Sequence, residues 1–148
     1  MEFITNSEME TVSLGGSLAE KLNDRELYPN GAVIAMRGEL GSGKTALVRG
    51  LARGLGIEDR ITSPTFTIVN EYDNKLFHFD MYRLSSADEL FDIGWDDYLT
   101  RGGIIAIEWS ENVSDAFDGS EISISFEKLS ENKRKITIGG LLDASSCN

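Results

Sequence analysis

The segment Gly38-Glu39-Leu40-Gly41-Ser42-Gly43-Lys44-Thr45 matches the phosphate-binding pattern G-x-x-x-x-G-K-[S/T]. An apolar run over residues 32–36 precedes it, and a stretch with helical character follows from residue 44 to about residue 55. A strand, a glycine-rich loop and a helix in this order surround the phosphates of a nucleotide with backbone N–H groups. The segment therefore predicts a P-loop, and its alternative, a glycine-rich turn without a ligand, is rarer in this context.

The last residues of this segment carry its chemistry. Lys44 supplies a positive charge toward the β and γ phosphates, and the Thr45 hydroxyl is placed to ligate Mg²⁺. The first turn of the following helix adds the positive end of its dipole. These features predict a bound nucleoside triphosphate with its magnesium ion.

Length and composition indicate one domain over residues 1–148. A chain of 148 residues buries about 70% of its unfolded surface, which is enough for a core without disulfides. The hydrophobic content is 41%, and no apolar run approaches the ~20 residues that span a membrane. The first residues show neither a basic region nor an apolar core of a secretory signal, so we expect a cytoplasmic protein. The one cysteine, Cys147, excludes a disulfide within the chain.

The formal net charge of −11 limits the class of partner. Such a chain repels a phosphate backbone over most of its surface, whereas nucleic-acid-binding proteins usually carry basic stripes. We therefore expect no direct binding of tRNA by the isolated chain. The charge is compatible with a protein that binds Mg²⁺ with its nucleotide, or that docks on a partner with a basic face.

The remaining sequence predicts an α/β protein. A helix is expected over residues 7–23, and a short helix is expected to start at a capping box that begins at Ser86. Asp73-Asn74 separates two strand candidates and suggests a hairpin. A continuous apolar run indicates a buried strand over residues 103–108, and alternating residues indicate edge or hairpin strands over residues 121–126 and 135–138. We predict a three-layer P-loop NTPase-like fold with a mixed, largely parallel central sheet.

Two strand candidates end in a carboxylate, as a P-loop site requires for charge compensation near Mg²⁺. Residues 75–80 end at Asp80, and residues 103–108 end at Glu108. The second run is the more apolar, which is typical of a central strand beside the P-loop strand. We assign Glu108 to the metal side and Asp80 to a catalytic, water-positioning or supporting role, with the reverse assignment open. The alternative for either residue is a solvated acid at a strand end.

Three further side chains are ambiguous from the sequence alone. Thr65 lies in a hydroxyl-rich stretch over residues 61–67, which is either a nucleotide-sensing loop or a structural turn. His78 is more often a packed strand histidine than a ligand. Trp109 is either a core aromatic residue or an edge of the site, because it follows Glu108 directly.

Five motifs in one order resemble the TsaE family of small bacterial ATPases. They are the loop 38–45, Thr-Ser-Pro-Thr-Phe at 62–66, His-Phe-Asp-Met-Tyr-Arg-Leu at 78–84, Glu-Leu at 89–90 with Gly94, and Ile-Glu-Trp at 107–109. The match extends from about residue 7 to residue 109 and more loosely beyond. The resemblance implies ATP, Mg²⁺ and a complex with the TsaB and TsaD proteins in threonylcarbamoyladenosine modification of tRNA, with the transferase chemistry on TsaD.

The resemblance also implies roles for individual residues. It assigns Mg²⁺ to Thr45 and Glu108, turnover to Asp80 and Trp109, and a switch-like loop to Thr65. More loosely, it assigns Thr11 to the adenine side and Arg134 to the neighbourhood of the nucleotide. It places the phosphates on Gly41, Ser42, Gly43, Lys44, Thr45 and Ala46. Ala46 departs from the family, because many members have a second threonine at this position.

Three other functions use a similar loop. A small-molecule kinase would need an acceptor pocket and usually a lid with arginines, but Arg83 and Arg101 are few and isolated. A GTPase would usually carry Asn-Lys-x-Asp, and the nearest string, Asn-Lys-Leu-Phe at 74–77, lacks the aspartate. A non-catalytic assembly factor would bind ATP only to fix its shape, and multiple-turnover phosphate release separates it from an ATPase.

Overall fold

The computed structural model describes residues 1–62, 64 and 68–142. In that part of the chain, seven strands form one sheet. The strands are β1 (Glu2–Thr5), β2 (Ala32–Arg37), β3 (Val69–Tyr72), β4 (Leu76–Asp80), β5 (Ile104–Glu108), β6 (Ile122–Lys128) and β7 (Arg134–Gly139). The helices are α1 (Glu8–Leu22), α2 (Lys44–Gly54), α3 (Ala87–Asp92), α4 (Trp95–Thr100) and a 3₁₀ helix over Ser110–Ala116.

The sheet has the order β1-β7-β6-β2-β5-β4-β3. Its four middle strands, β6, β2, β5 and β4, run parallel to one another. Antiparallel pairing attaches β3 to β4 on one side, and β7 and then β1 on the other. The predicted mixed sheet with a parallel centre is confirmed. Because parallel strands end at the same edge, the ends of β2, β4 and β5 meet in one place.

Helices cover both faces of the sheet and give the predicted three layers. On one face, Leu47 and Leu51 of α2 pack in a cluster with Ile34 and Met36 of β2. On the other face, Phe77 of β4 belongs to a second cluster, which includes side chains from α3, α4 and the 3₁₀ helix. Successive strand residues point to opposite faces, so β4 and β5 contribute to both clusters.

Two glycines let α1 lie directly against α2. A Cβ atom on Gly15 would overlap the carbonyl oxygen of Leu47, and one on Gly50 would overlap that of Val12. Side chains at these positions would therefore separate the helices. This close contact fixes α1 beside the start of α2, which is where the glycine-rich loop ends.

Of the two expected settings for the alternating segments, edge strand or hairpin, the structure shows the hairpin. β6 and β7 pair antiparallel, and β1 pairs with β7 outside them, with Phe3 opposite Ile136. The alternating pattern reflects one buried and one more exposed face, as Ile124 and Ser125 illustrate. β1 and α4 were not predicted, because segments of four and six residues carry little periodic signal.

The local predictions are mostly confirmed. The helices predicted at residues 7 and 44 begin at Glu8 and Lys44, and Asp73 and Asn74 form the hairpin turn with φ values of 53° and 54°. α3 begins after Ser86, but the capping box was wrong, since Ser85 Oγ and not Ser86 bonds Glu89, at 3.2 Å. Among the described residues, no helix is long and apolar enough to span a membrane.

Candidate active site

A cleft of about 450 Å³ opens where β2, β4 and β5 end. It brings together residues that are far apart in the sequence, and all but one of the predicted site residues line it. These are Thr11, Gly41, Ser42, Gly43, Lys44, Thr45, Ala46, Asp80, Glu108, Trp109 and Arg134. The remaining one, Thr65, lies outside the described residues.

The glycine-rich loop connects β2 to α2 and forms one wall of the cleft. Gly43 takes a φ of 108° and caps α2, a backbone conformation that strongly favours glycine. α2 is 11 residues long, so its N-terminus directs backbone N–H groups and a positive dipole end toward the cleft. Ser42 Oγ is buried without a hydrogen-bond partner in the part of the chain that the structure describes. This combination of donors suits an anion.

The Lys44 side chain is buried in the wall of the cleft. Its Nζ donates to the carbonyl oxygen of Gly38 at 2.6 Å and lies 3.8 Å from the centroid of the Trp109 ring. The ammonium group is therefore held by a hydrogen bond to the loop carbonyl and by a cation–π contact with the ring. Burial lowers the pKa of Lys44, and the nearby carboxylates, Glu108 first among them, partly counter this effect.

The two predicted acids lie side by side. Asp80 and Glu108 are register partners at the ends of β4 and β5, and β5 is the strand next to β2 as the sequence indicated. Glu108 Oε2 accepts a hydrogen bond from Thr45 Oγ1 at 3.2 Å, while Asp80 Oδ1 accepts the Tyr82 backbone N–H at 3.0 Å. Burial raises the pKa of Asp80, the Tyr82 N–H lowers it, and the charge of Glu108 raises it further.

The oxygen atoms of Thr45 and Glu108 fit a hard divalent cation. Mg²⁺ prefers oxygen ligands and is usually bound through one or two protein groups together with substrate phosphates and water. In the described residues, no cluster of three or more His, Cys, Asp or Glu side chains could hold a metal by itself. Phosphate oxygens and water would supply the further ligands of a magnesium ion at this position.

Trp109 lies at the edge of the cleft in an unusual backbone conformation. Its φ of 58° and ψ of 42° are left-handed, which is rare for a bulky residue. Its ring contacts Lys44 on the cleft side and lies 5.1 Å from the Tyr82 ring, centroid to centroid. Strained residues of this kind cluster at functional sites. The residue is therefore part of the site edge and not only of the core.

Arg134 and Thr11 both line the cleft beside Gly43. Arg134 Nη2 donates to the carbonyl oxygen of Gly41 at 2.9 Å, so the guanidinium joins the start of β7 to the glycine-rich loop. Thr11 belongs to α1, and its hydroxyl lies 2.8 Å from that of Thr5, the register partner of Arg134.

The sequence reasoning missed several residues of the site. Ser7, Glu8, Arg49, Glu131 and Asn132 also line the cleft. His78 was expected to be packed, and it is fully buried, but its Nε2 also lies 2.5 Å from Glu108 Oε2. The sequence does contain a signal for this contact. His78 is two residues from Asp80, so the two side chains lie on one face of β4, and Asp80 is the register partner of Glu108.

Comparisons with known proteins identify the family of this chain. The family model "Threonylcarbamoyl adenosine biosynthesis protein TsaE" matches residues 5–136. A Treponema pallidum TsaE protein is 36% identical over 140 residues, covering 93% of this chain and 99% of the relative. An Aquifex aeolicus TsaE protein is 39% identical over 142 residues, covering 93% and 94%. The crystal structure of Bacillus subtilis YdiB has a TM-score of 0.73 at 27% identity, covering 96% of this chain and 86% of YdiB.

The matched range contains the glycine-rich loop, both acids and Arg134. The resemblance noted from the five sequence motifs is thus confirmed by the family model and by relatives that align over nearly their whole length. The chain therefore belongs to the TsaE family, which takes part in the biosynthesis of threonylcarbamoyladenosine in tRNA.

Proposed function

We propose that this protein binds and hydrolyses Mg-ATP to support the TsaB–TsaD pair in threonylcarbamoyladenosine modification of tRNA. One observation carries the proposal: the glycine-rich loop with Lys44 shares a cleft with the Thr45–Glu108 pair and with Asp80. Phosphoryl transfer needs a phosphate cradle, a hard-cation site and a group that orients the nucleophile. The residues of the cleft can supply all three.

The loop and α2 would bind the triphosphate. Backbone N–H groups at the start of α2 and the Ser42 hydroxyl, which has no partner among the described residues, donate to phosphate oxygens. The Lys44 ammonium exchanges the Gly38 carbonyl for a phosphate oxygen, which is the stronger, charge-assisted bond. Thr45 and Glu108 would hold Mg²⁺, which when bound neutralises charge on the β and γ phosphates.

Asp80 would act on the attacking water. The water oxygen bonds to the γ phosphorus, the bond from that phosphorus to the β–γ bridging oxygen breaks, and ADP and phosphate leave. Asp80 orients the water and accepts its proton, and its raised pKa makes the carboxylate a better base than an exposed aspartate. Glu108, which bonds Thr45, is assigned to the cation, so Asp80 is the carboxylate for this role.

Exposed side chains near the cleft support a dependence of ATP hydrolysis on a partner protein. Leu40 in the loop is 77% exposed and Tyr82 is 58% exposed, so apolar side chains stand at the opening. Water that remains in the site weakens electrostatic stabilisation of the transferring phosphoryl group. A docked TsaB–TsaD pair would cover these side chains and exclude water. We therefore infer slow hydrolysis by the free chain and faster hydrolysis in the complex.

Steady-state phosphate release, measured with and without TsaB–TsaD, tests the proposal. We expect the partners to raise the rate at least about tenfold, which corresponds to ~1.4 kcal/mol of barrier. If the complex forms and the rate of phosphate release is unchanged, the protein is a non-catalytic assembly factor that binds ATP only to fix its shape. Recovery of the γ phosphate on an added small molecule, and not as free phosphate, would support the kinase alternative.

A further inference from the structure

His78 is a fully buried polar side chain that the proposed reaction does not use. It lies in the middle of β4, opposite Ala106 of β5 and two residues before Asp80. Its Nε2 is 2.5 Å from Oε2 of Glu108, and its Nδ1 is buried without a hydrogen-bond partner. Within the residues that the structure describes, the Glu108 carboxylate is thus the only hydrogen-bonding contact of this imidazole.

Packing alone does not explain a histidine at this position. A buried polar atom without a hydrogen bond costs about 1–3 kcal/mol, and a leucine or phenylalanine would fill the space without that cost. Leu76, two residues earlier on the same face of β4, is fully buried, so this face of the strand accommodates large apolar side chains. The contact with Glu108 is what a histidine provides here and an apolar side chain cannot.

The hydrogen bonds that His78 and Thr45 make to the Glu108 carboxylate are both to one oxygen, Oε2. An ionised carboxylate only accepts hydrogen bonds, so the Nε2 of His78 carries the hydrogen that it shares with Oε2. Thr45 Oγ1 donates to the same oxygen at 3.2 Å. No donor from the described part of the chain reaches Oε1. Because Glu108 is only 4% exposed, its orientation is set by protein groups and not by bulk water.

We propose that His78 is a positioning residue for Mg²⁺-dependent nucleotide binding. Its imidazole holds the Glu108 carboxylate so that Oε1 stays available to the cation. This inference rests on the proposed function, since it assigns His78 to the metal side of the same cleft. Groups that orient metal ligands typically contribute about 10- to 100-fold in metal affinity. Loss of the His78 bond should reduce the gain in nucleotide affinity that Mg²⁺ provides, and leave the Mg²⁺-free affinity unchanged.

His78→Gln and His78→Asn separate positioning from packing. Both are polar, but the glutamine amide nitrogen extends as far as Nε2, whereas the asparagine nitrogen extends only as far as Nδ1, which has no hydrogen-bond partner among the described residues. Calorimetry with a non-hydrolysable ATP analogue, in Mg²⁺ and in EDTA, gives the Mg²⁺-dependent gain for each protein. Thermal unfolding in parallel reports whether each variant is folded.

We expect His78→Gln to keep the gain within about threefold of the parent and His78→Asn to lose about tenfold, with equal affinities in EDTA. An equal gain in the parent and in His78→Asn would overturn the role of His78. A parent chain whose nucleotide affinity does not respond to Mg²⁺ would refute the proposed function instead. The two failures are therefore distinguishable.

The parent protein offers a second test that needs no folded His78 variant. The chain contains one histidine, so every imidazole signal in a long-range ¹H–¹⁵N spectrum belongs to His78. We expect the tautomer with hydrogen on Nε2, and a change in its shift when Mg²⁺ joins the bound nucleotide analogue. A tautomer with hydrogen on Nδ1, or a spectrum that Mg²⁺ leaves unchanged, would contradict the proposal.

Discussion

Replacing Lys44 with methionine removes the cation of the glycine-rich loop and keeps a side chain of similar length in its place. The buried stem of Lys44 would be preserved, while the Nζ contacts with the Gly38 carbonyl and the Trp109 ring would be lost. Burial already disfavours the charged amine and lowers its pKa, so part of this loss is offset. We expect the free energy of unfolding to change by about 1 kcal/mol or less, the net contribution of one hydrogen bond.

Nucleotide affinity should change far more than stability. A hydrogen bond between an ammonium group and a phosphate contributes about 1.5–3 kcal/mol, which corresponds to roughly 10- to 160-fold in Kd. Calorimetry with a non-hydrolysable ATP analogue and Mg²⁺ measures this loss, and thermal unfolding measures the stability. Lys75→Met is the matched control, because Lys75 is exposed and lies just before β4, at the opposite end of that strand from Asp80. Equal Kd values for Lys44→Met and the parent would disprove phosphate binding at this loop.

The acids, the pH dependence and the exclusion of nucleic acid give three further predictions. Glu108→Gln should reduce the Mg²⁺-dependent gain in nucleotide affinity, whereas Asp80→Asn should leave binding nearly intact and lower phosphate release; the opposite result would exchange their roles. Because burial raises the pKa of Asp80 above 3.8, its ionisation destabilises the fold as the pH rises through the folded-state pKa. Asp80→Asn should therefore unfold at a higher temperature than the parent at pH 7, and this difference should vanish below pH 3.8; equal stability at pH 7 would argue against a disfavoured charge. Bare tRNA should not bind the isolated chain at physiological salt, given the net charge of −11, and a micromolar complex in a mobility-shift assay would contradict this.

Local features of the site were readable from the sequence. The pattern from Gly38 to Thr45 encodes a turn and a helix start through its own glycines, so its conformation depends little on the rest of the chain. The apolar run that ends at Glu108 identified a central strand, because a strand buried on both faces has few polar residues. The burial of Lys44 was not readable, since it depends on the ring of Trp109.

Contacts across the sheet required the tertiary structure. Arg134 bonds a carbonyl 93 residues away, and His78 contacts Glu108 at a separation of 30 residues. The place of β1 outside β7 depends equally on pairing between the two ends of the described chain. Periodicity reports which face of a strand is buried, but strand order and register follow from how the whole sheet packs between its helices. For that reason the sequence reveals the glycine-rich loop and the two strand-end acids, while only the fold determines that His78 contacts Glu108 and that Arg134 bonds the Gly41 carbonyl.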